Sequence, residues 1–299
     1  TGVCLHEFLR ECAREVYVEA NIQTPYICGD KALIHVSQVD GIVETDNEIS
    51  PLPDQQPDEI SSKIAALIME EIPDGATVQL GIGALSTAIG YALEERNDLG
   101  IYTELLTEPM VHLMKNGNVT NRCKGYMDGI SVFGFAMGSG EMYEYMDHNP
   151  QLYGASFPFI NDPRNIAKNK NMMSVNTAMS IDLFGQAAAD AIGFRQQSGV
   201  GGQIDYVKGS QWSEGGKSFI ALSSAFEVNG EMKSKICVSF PEGTAITTPR
   251  SEIQYVATEY GIVNLKPLTM RERVRAMISL AHPMFRDSLT DEAKTKGIL

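Results

Sequence analysis

Asp58-Glu-Ile-Ser-Ser-Lys-Ile-Ala-Ala-Leu-Ile-Met-Glu-Glu-Ile-Pro-Asp-Gly-Ala-Thr-Val-Gln-Leu-Gly-Ile-Gly83 decides the fold class of this chain. Ile60, Ile64, Ala65, Leu67, Ile68 and Ile72 recur at helical spacing. That predicts an amphipathic helix over 59–72, with Asp58 as its N-cap. Pro73-Asp-Gly75 ends the helix. Thr77-Val-Gln-Leu80 is then a short buried strand, and the glycines after it open a turn into a second helix, Leu85 to Arg96. Downstream the alternation continues. Strands are predicted at Leu99–Tyr102, Asn171–Val175, Ile204–Tyr206, Ser218–Leu222 and Ile236–Ser239, and helices from Val111 onward and at Met270–Leu280. Alternating strands and helices predict an α/β domain built on an open, mostly parallel sheet flanked by helices.

Upstream of Asp58, residues 47–58 hold three prolines and little apolar content, which marks a linker. The domain boundary is therefore placed at 51–57, with 58–299 as one domain. Residues 1–50 carry helical spacing over 3–20 and short strand-like runs at Ala32–Val36 and Gly41–Val43. They are too short for a domain. With Thr1 inside a helical pattern, they are read as the tail of an incomplete N-terminal domain.

The bulk numbers exclude several classes. Over 299 residues, 38 acidic side chains face 24 basic ones, a formal charge of −14. That argues against a nucleic-acid or anionic-membrane surface. The five cysteines are widely spaced with no Cys-x-x-Cys, as in a reduced cytoplasmic protein rather than a disulfide or zinc scaffold. No apolar run approaches the roughly 18–20 residues of a membrane span, and no signal peptide is visible.

The chemistry-bearing positions are few. Glu104 lies between the predicted strand ending at Tyr102 and the helical run from Met110 to Met114. Open α/β sheets place ligands at such strand ends, so Glu104 is a candidate nucleophile or base; a structural hydrogen-bonding role is the alternative. Gln79-Leu-Gly-Ile-Gly83 allows a ligand close to the backbone at Gly81 and Gly83, although a bare Gly-x-Gly also serves as a tight turn. It matches neither a dinucleotide fingerprint nor a phosphate loop. Ser198-Gly-Val-Gly-Gly-Gln-Ile-Asp205 reads as a glycine loop before a strand, whose amides at Gly199, Gly201 and Gly202 can converge on an oxyanion; a flexible loop is the alternative. Asn176 follows a strand and can orient a carbonyl or carboxylate, or serve as a turn residue. The five histidines show no metal-ligand spacing: His112 reads as a packing or surface residue, and His282 as capping the end of the late helix. Glu108 is the rival carboxylate, placed on the same side as Glu104 by a helix-start register.

Taken in order, several segments resemble the C-terminal half of class I coenzyme A transferases, in the branch holding 4-hydroxybutyrate and butyryl-CoA:acetate CoA-transferases and acetyl-CoA hydrolase/transferases. They are Ile72–Gly83, Thr103-Glu104 with Val119-Thr120, Val175-Asn176, Gly199–Asp205, Thr247-Thr-Pro-Arg250, Thr258–Gly261, Arg271-Glu-Arg273 and Ala281-His-Pro283 with Phe285-Arg286. The stretch at Glu108-Pro109 departs from the family's small polar pair. The resemblance implies two similar α/β domains with a site between them. It implies Glu104 as the nucleophile, passing through an acyl-glutamyl anhydride and a glutamyl-CoA thioester. It further implies Gly199, Gly201, Gly202 and Asn176 around the reacting oxygens, and Gly81, Gly83 and the glycine loop against CoA. No resident cofactor or metal is expected. Acyl-CoA and a short-chain carboxylate are the expected substrates, in a homodimer or higher homo-oligomer. The alternatives are an acyl-CoA hydrolase of the same fold and a non-catalytic CoA-binding sensor.

Overall fold

The computed structural model describes residues 5–52 and 55–299. Its centre is an eight-stranded sheet of β1 (Thr77–Leu80), β2 (Gly100–Leu106), β3 (Ser131–Ala136), β4 (Leu152–Gly154), β5 (Met172–Thr177), β6 (Lys217–Ala221), β7 (Tyr255–Thr258) and β8 (Gly261–Asn264). The strands lie in the order β8-β7-β6-β5-β1-β2-β3-β4, all parallel except the terminal β7–β8 pair. From β1 the chain winds outward through β2, β3 and β4. It then crosses back to lay β5 on the other side of β1. The β1–β5 boundary is thus the switch point of an open α/β sheet, where the crevice at the strands' C-terminal ends receives ligands.

The helices form where the sequence pattern places them. In α1 (Glu59–Met69) the Asp58 carboxylate accepts the Ser61 N–H at 2.7 Å, and Ile64 and Ile68 are buried. α2 (Ala84–Ala92) and α3 (Glu108–Lys115) follow β1 and β2. Alternate strand residues serve two faces. Ile101, Phe133 and Met173 pack with Ile64, Ile89 and Leu113, whereas Tyr102, Val132 and Met172 pack with Ile160, Ile166 and Tyr206 of α4 (Gln203–Trp212). α5 (Met270–Leu280), opened by a Thr269/Glu272 capping box, and α6 (Pro283–Thr295) close a further core around Val256 and Ile236.

Four expectations are corrected. Ile204–Tyr206 is helical, because Gly202 ends the loop as the N-cap of α4. The helical expectation over 3–20, whose first residues lie outside the described ones, does not hold as one helix over 5–20: His6–Cys12 is helical, and Tyr17–Asn21 is a strand parallel to Gly41–Thr45, outside the main sheet. Ala32–Val36 forms no strand, and a 3₁₀ turn starts at Val36. His282 caps the start of α6 rather than the end of α5, accepting the Met284 N–H at 3.3 Å. Ahead of the proline-rich stretch, Gly29 bridges to Gly154 on edge strand β4.

Candidate active site

β2 runs two residues past Glu104, so the carboxylate leaves the strand itself and not the turn after it. Thr103 and Leu106 are fully buried on either side, which fixes the backbone from which Glu104 projects. Its Oε2 accepts from Asn161 Nδ2 at 2.9 Å, and the Gly202 N–H also reaches the carboxylate. Burial pushes the Glu104 carboxyl above the usual glutamate range, and these two hydrogen bonds pull against it. Asp205, in the first turn of α4, is pushed up by its own burial and then by the charge of Glu104.

The three glycines of the loop are not equivalent. A Cβ on Gly202 would stand 2.2 Å from Glu104 Oε2 and 2.8 Å from Asn161 Nδ2. Only glycine admits this approach. Gly201 has φ +62, and a Cβ there would stand 3.8 Å from Glu104 Oε1. Gly199 faces open space.

Glu104, Gly81, Asn176, Gly199, Gly201 and Gly202 line one cleft of about 350 Å³ at the C-terminal ends of β1, β2 and β5. Gly83 lies in an adjoining pocket of about 300 Å³, which shares Ile82 and Thr177 with the cleft. It is the N-cap of α2 with φ +100, while the Ala84 N–H next to it is held by Gln55 Oε1 at 3.1 Å. Asn176 is buried and exchanges two amide hydrogen bonds with Gln79, at 3.1 and 3.2 Å, across the β1–β5 switch point. The pair fixes both amides at the cleft wall.

Glu108 does not share the side of Glu104. Its two carboxylate oxygens accept the Ser139 N–H at 2.9 Å and the Ser139 hydroxyl at 3.0 Å, at the start of the helix Gly140–Met146. His112 contacts Glu94 and Asn116 on the surface. Among the described residues, no group of three or more His, Cys, Asp or Glu side chains is arranged to hold a metal ion. None of their helices is long and apolar enough to cross a membrane.

Sequence reasoning missed Asn161 and the role of Gln79. Asn161 lies 57 positions from Glu104 in an Asn-Asp-Pro turn, which reads as loop chemistry alone. Gln79 carried a signal, a side-chain amide in a four-residue strand that is buried throughout.

Residues 138–293 match the acetyl-CoA hydrolase/transferase C-terminal domain. The chain belongs to the acetyl-CoA hydrolase/transferase family. It is 39% identical over 287 residues to 4-hydroxybutyrate coenzyme A transferase of Clostridium kluyveri, covering 96% of this chain and 66% of that protein. To butyryl-CoA:acetate CoA-transferase of Anaerostipes caccae it is 37% identical, covering 95% of this chain and 65% of the relative. The crystal structure of RipA from Yersinia pestis superposes with a TM-score of 0.93 at 40% identity, over 100% of this chain and 67% of that one. The chain spans about two thirds of the length of these curated relatives.

Proposed function

We propose that this protein is an acyl-CoA:carboxylate CoA-transferase of the 4-hydroxybutyrate/butyrate/acetate type, with Glu104 as its nucleophile. The observation that carries the reading is the Glu104 carboxylate, half-buried, raised in pKa by that burial and hydrogen-bonded by Asn161 and the Gly202 N–H in a cleft lined by glycines. A carboxylate is the group this chemistry needs, since it forms both an anhydride and a thioester without metal or ATP. Ionised Glu104 attacks the acyl-CoA carbonyl. The oxyanion collapses, the C–S bond breaks and CoA leaves as thiolate, giving an acyl-glutamyl anhydride. The thiolate then attacks the glutamyl carbonyl, releasing the donor carboxylate and leaving a glutamyl-CoA thioester. An acceptor carboxylate reverses both steps with its own acyl group and regenerates Glu104.

Each addition builds negative charge on a carbonyl oxygen, and amides of Gly199, Gly201 and Gly202 with the fixed Asn176 side chain receive it. Gly81 and Gly83 let CoA lie against the backbone, and its remote contacts drive reaction at the thioester. Residues 1–50 are read as the end of a preceding domain, joined through 51–57 to the catalytic domain 58–299. A preceding domain would form the other wall and keep water from the anhydride. The working protein is read as a cytoplasmic homo-oligomer needing no resident cofactor.

The test is a single-turnover half-reaction. Butyryl-CoA given without acceptor should release one equivalent of butyrate per Glu104 and stop. Continuous release, unaffected by added acetate, would instead assign the protein to the hydrolases of its family.

A further inference from the structure

We propose that Thr247 and Thr248 are positioning residues that clamp both ends of the glycine loop and so set its amides against Glu104; this rests on the transferase reading above. The dipeptide is itself held in place by the backbone. The Thr247 and Thr248 N–H groups donate to Ala187 O at 2.9 and 3.1 Å, and Ala187 N–H donates to Thr248 O at 2.9 Å. Both side chains are buried.

From this anchor two polar arms reach the loop. On the entry side, the Thr247 hydroxyl accepts the Ala189 N–H at 2.8 Å and donates to the buried Asp190 carboxylate. The other Asp190 oxygen accepts from Gln196 Nε2 at 2.9 Å, and the same amide holds Ser198 O at 2.7 Å. The Asp190 carbonyl also accepts the N–H groups of Gln197 and Ser198, at 2.8 and 3.3 Å. The residue before Gly199 is therefore tied to Thr247. On the exit side, Gln203 follows Gly202 directly, and its Nε2 donates to Thr248 Oγ1 at 3.0 Å.

Gly199, Val200 and Gly201 are exposed between these two ties. Glycines at 199, 201 and 202 stiffen nothing by themselves. An exposed loop gains a defined geometry only from its ends, and amides that stabilise an oxyanion must be set before charge develops. A buried hydroxyl pair on one dipeptide meets that requirement at both ends. It gives the Thr-Thr segment at 247–248 a task that neither substrate contact nor core packing supplies.

The test uses Thr248→Val, which keeps the side chain's shape and removes the acceptor, and Gln203→Leu, which removes the donor. Thr248→Ser serves as the rescue. Kinetics are read beside hydrogen–deuterium exchange of peptides covering 198–203. Thr248→Val should lower kcat about tenfold, in line with one lost hydrogen bond. KM for the acyl-CoA should stay within about twofold, exchange in the loop should quicken, and Thr248→Ser should recover both. Because both substitutions break one bond, the double variant should fall no further than either single one. Multiplying effects, or a loop whose exchange does not respond to Thr248→Val, would overturn the clamp. If Thr248→Val does not fold, Gln203→Leu at the partly exposed donor carries the same readouts, and an unchanged loop there equally overturns it. Failure of wild-type protein to acylate Glu104 would instead defeat the transferase reading, while loop exchange still decides the clamp.

Discussion

Gly202→Ala separates the reactivity of Glu104 from the stability of the fold. Gly202 has φ −92 and ψ 10, so alanine meets no backbone strain there. Its Cβ, however, would stand 2.2 Å from Glu104 Oε2. An ordinary contact of about 3.4 Å requires the carboxylate to retreat by about 1 Å. Asn161, at 2.8 Å from the same Cβ, must also shift, and with it the hydrogen bond it gives Glu104. The atoms that give way are side-chain ends. The stability cost should therefore sit at the low end of overpacking, about 1 kcal/mol, a few degrees or less in Tm. Those ends are the reacting group and its support. A misplacement of about 1 Å in a reacting group costs on the order of 100-fold in rate. Transfer measured from butyryl-CoA to acetate should fall about 100-fold in kcat, with Tm nearly unchanged. Gly140→Ala, outside the cleft and where a Cβ likewise meets nothing within 4 Å, is the matched control and should stay within about twofold of wild type. Equal losses at 140 and 202, or a Gly202→Ala variant with wild-type kcat, would refute the reasoning.

Four further outcomes can be measured on the same protein. Because burial raises the Glu104 pKa, kcat/KM should rise with pH through an apparent pKa above the ordinary glutamate value. A raised carboxyl pKa means the ionised group costs stability at neutral pH, so Glu104→Gln should raise Tm at pH 7 and lose that advantage as the pH falls through the raised pKa towards the ordinary glutamate value. Glu108→Ala should lower stability by about 1 kcal/mol, leaving the half-buried Ser139 N–H without its acceptor, and keep transfer near wild type; loss of transfer with intact folding would reinstate Glu108 as a rival nucleophile. Lys124 is fully buried, donates to the carbonyls of Ile101 and Ile130, and has its pKa pushed down to about 7 by burial. The unfolded chain then binds a proton that the folded one has released, so stability relative to Lys124→Met should rise as pH climbs from 7 towards 9 and be flat below 7. A flat difference throughout would show that Lys124 keeps its charge.

Sequence legibility followed the physics of each signal. β1, α1 and α5 were read to within a few residues, because apolar periodicity and caps such as Asp58 act locally. β4, of three residues, and β8, opening on Gly261, carry too little periodicity to register as strands, and pairing in the sheet decides them. Ile204–Tyr206 misled because a short apolar run after glycines fits a strand as well as a helix start. In the site, the family resemblance brought forward Glu104, Asn176 and the glycine loop, and the structure gathers all of these in one cleft. What the sequence could not carry were the long-range partners: Asn161 on Glu104, Gln79 on Asn176 and Ser139 on Glu108. The last of these separates two carboxylates only four residues apart, which sequence position alone treats as equals.

The central claim is that Glu104 forms the covalent bond to the substrate. Protein incubated with acyl-CoA, then treated with borohydride or hydroxylamine and digested, reports that bond by peptide mass. The account predicts modification at Glu104 in wild type and none at that position in Glu104→Ala. Label on Glu108 or Asp205, or turnover with no label at Glu104, would contradict it.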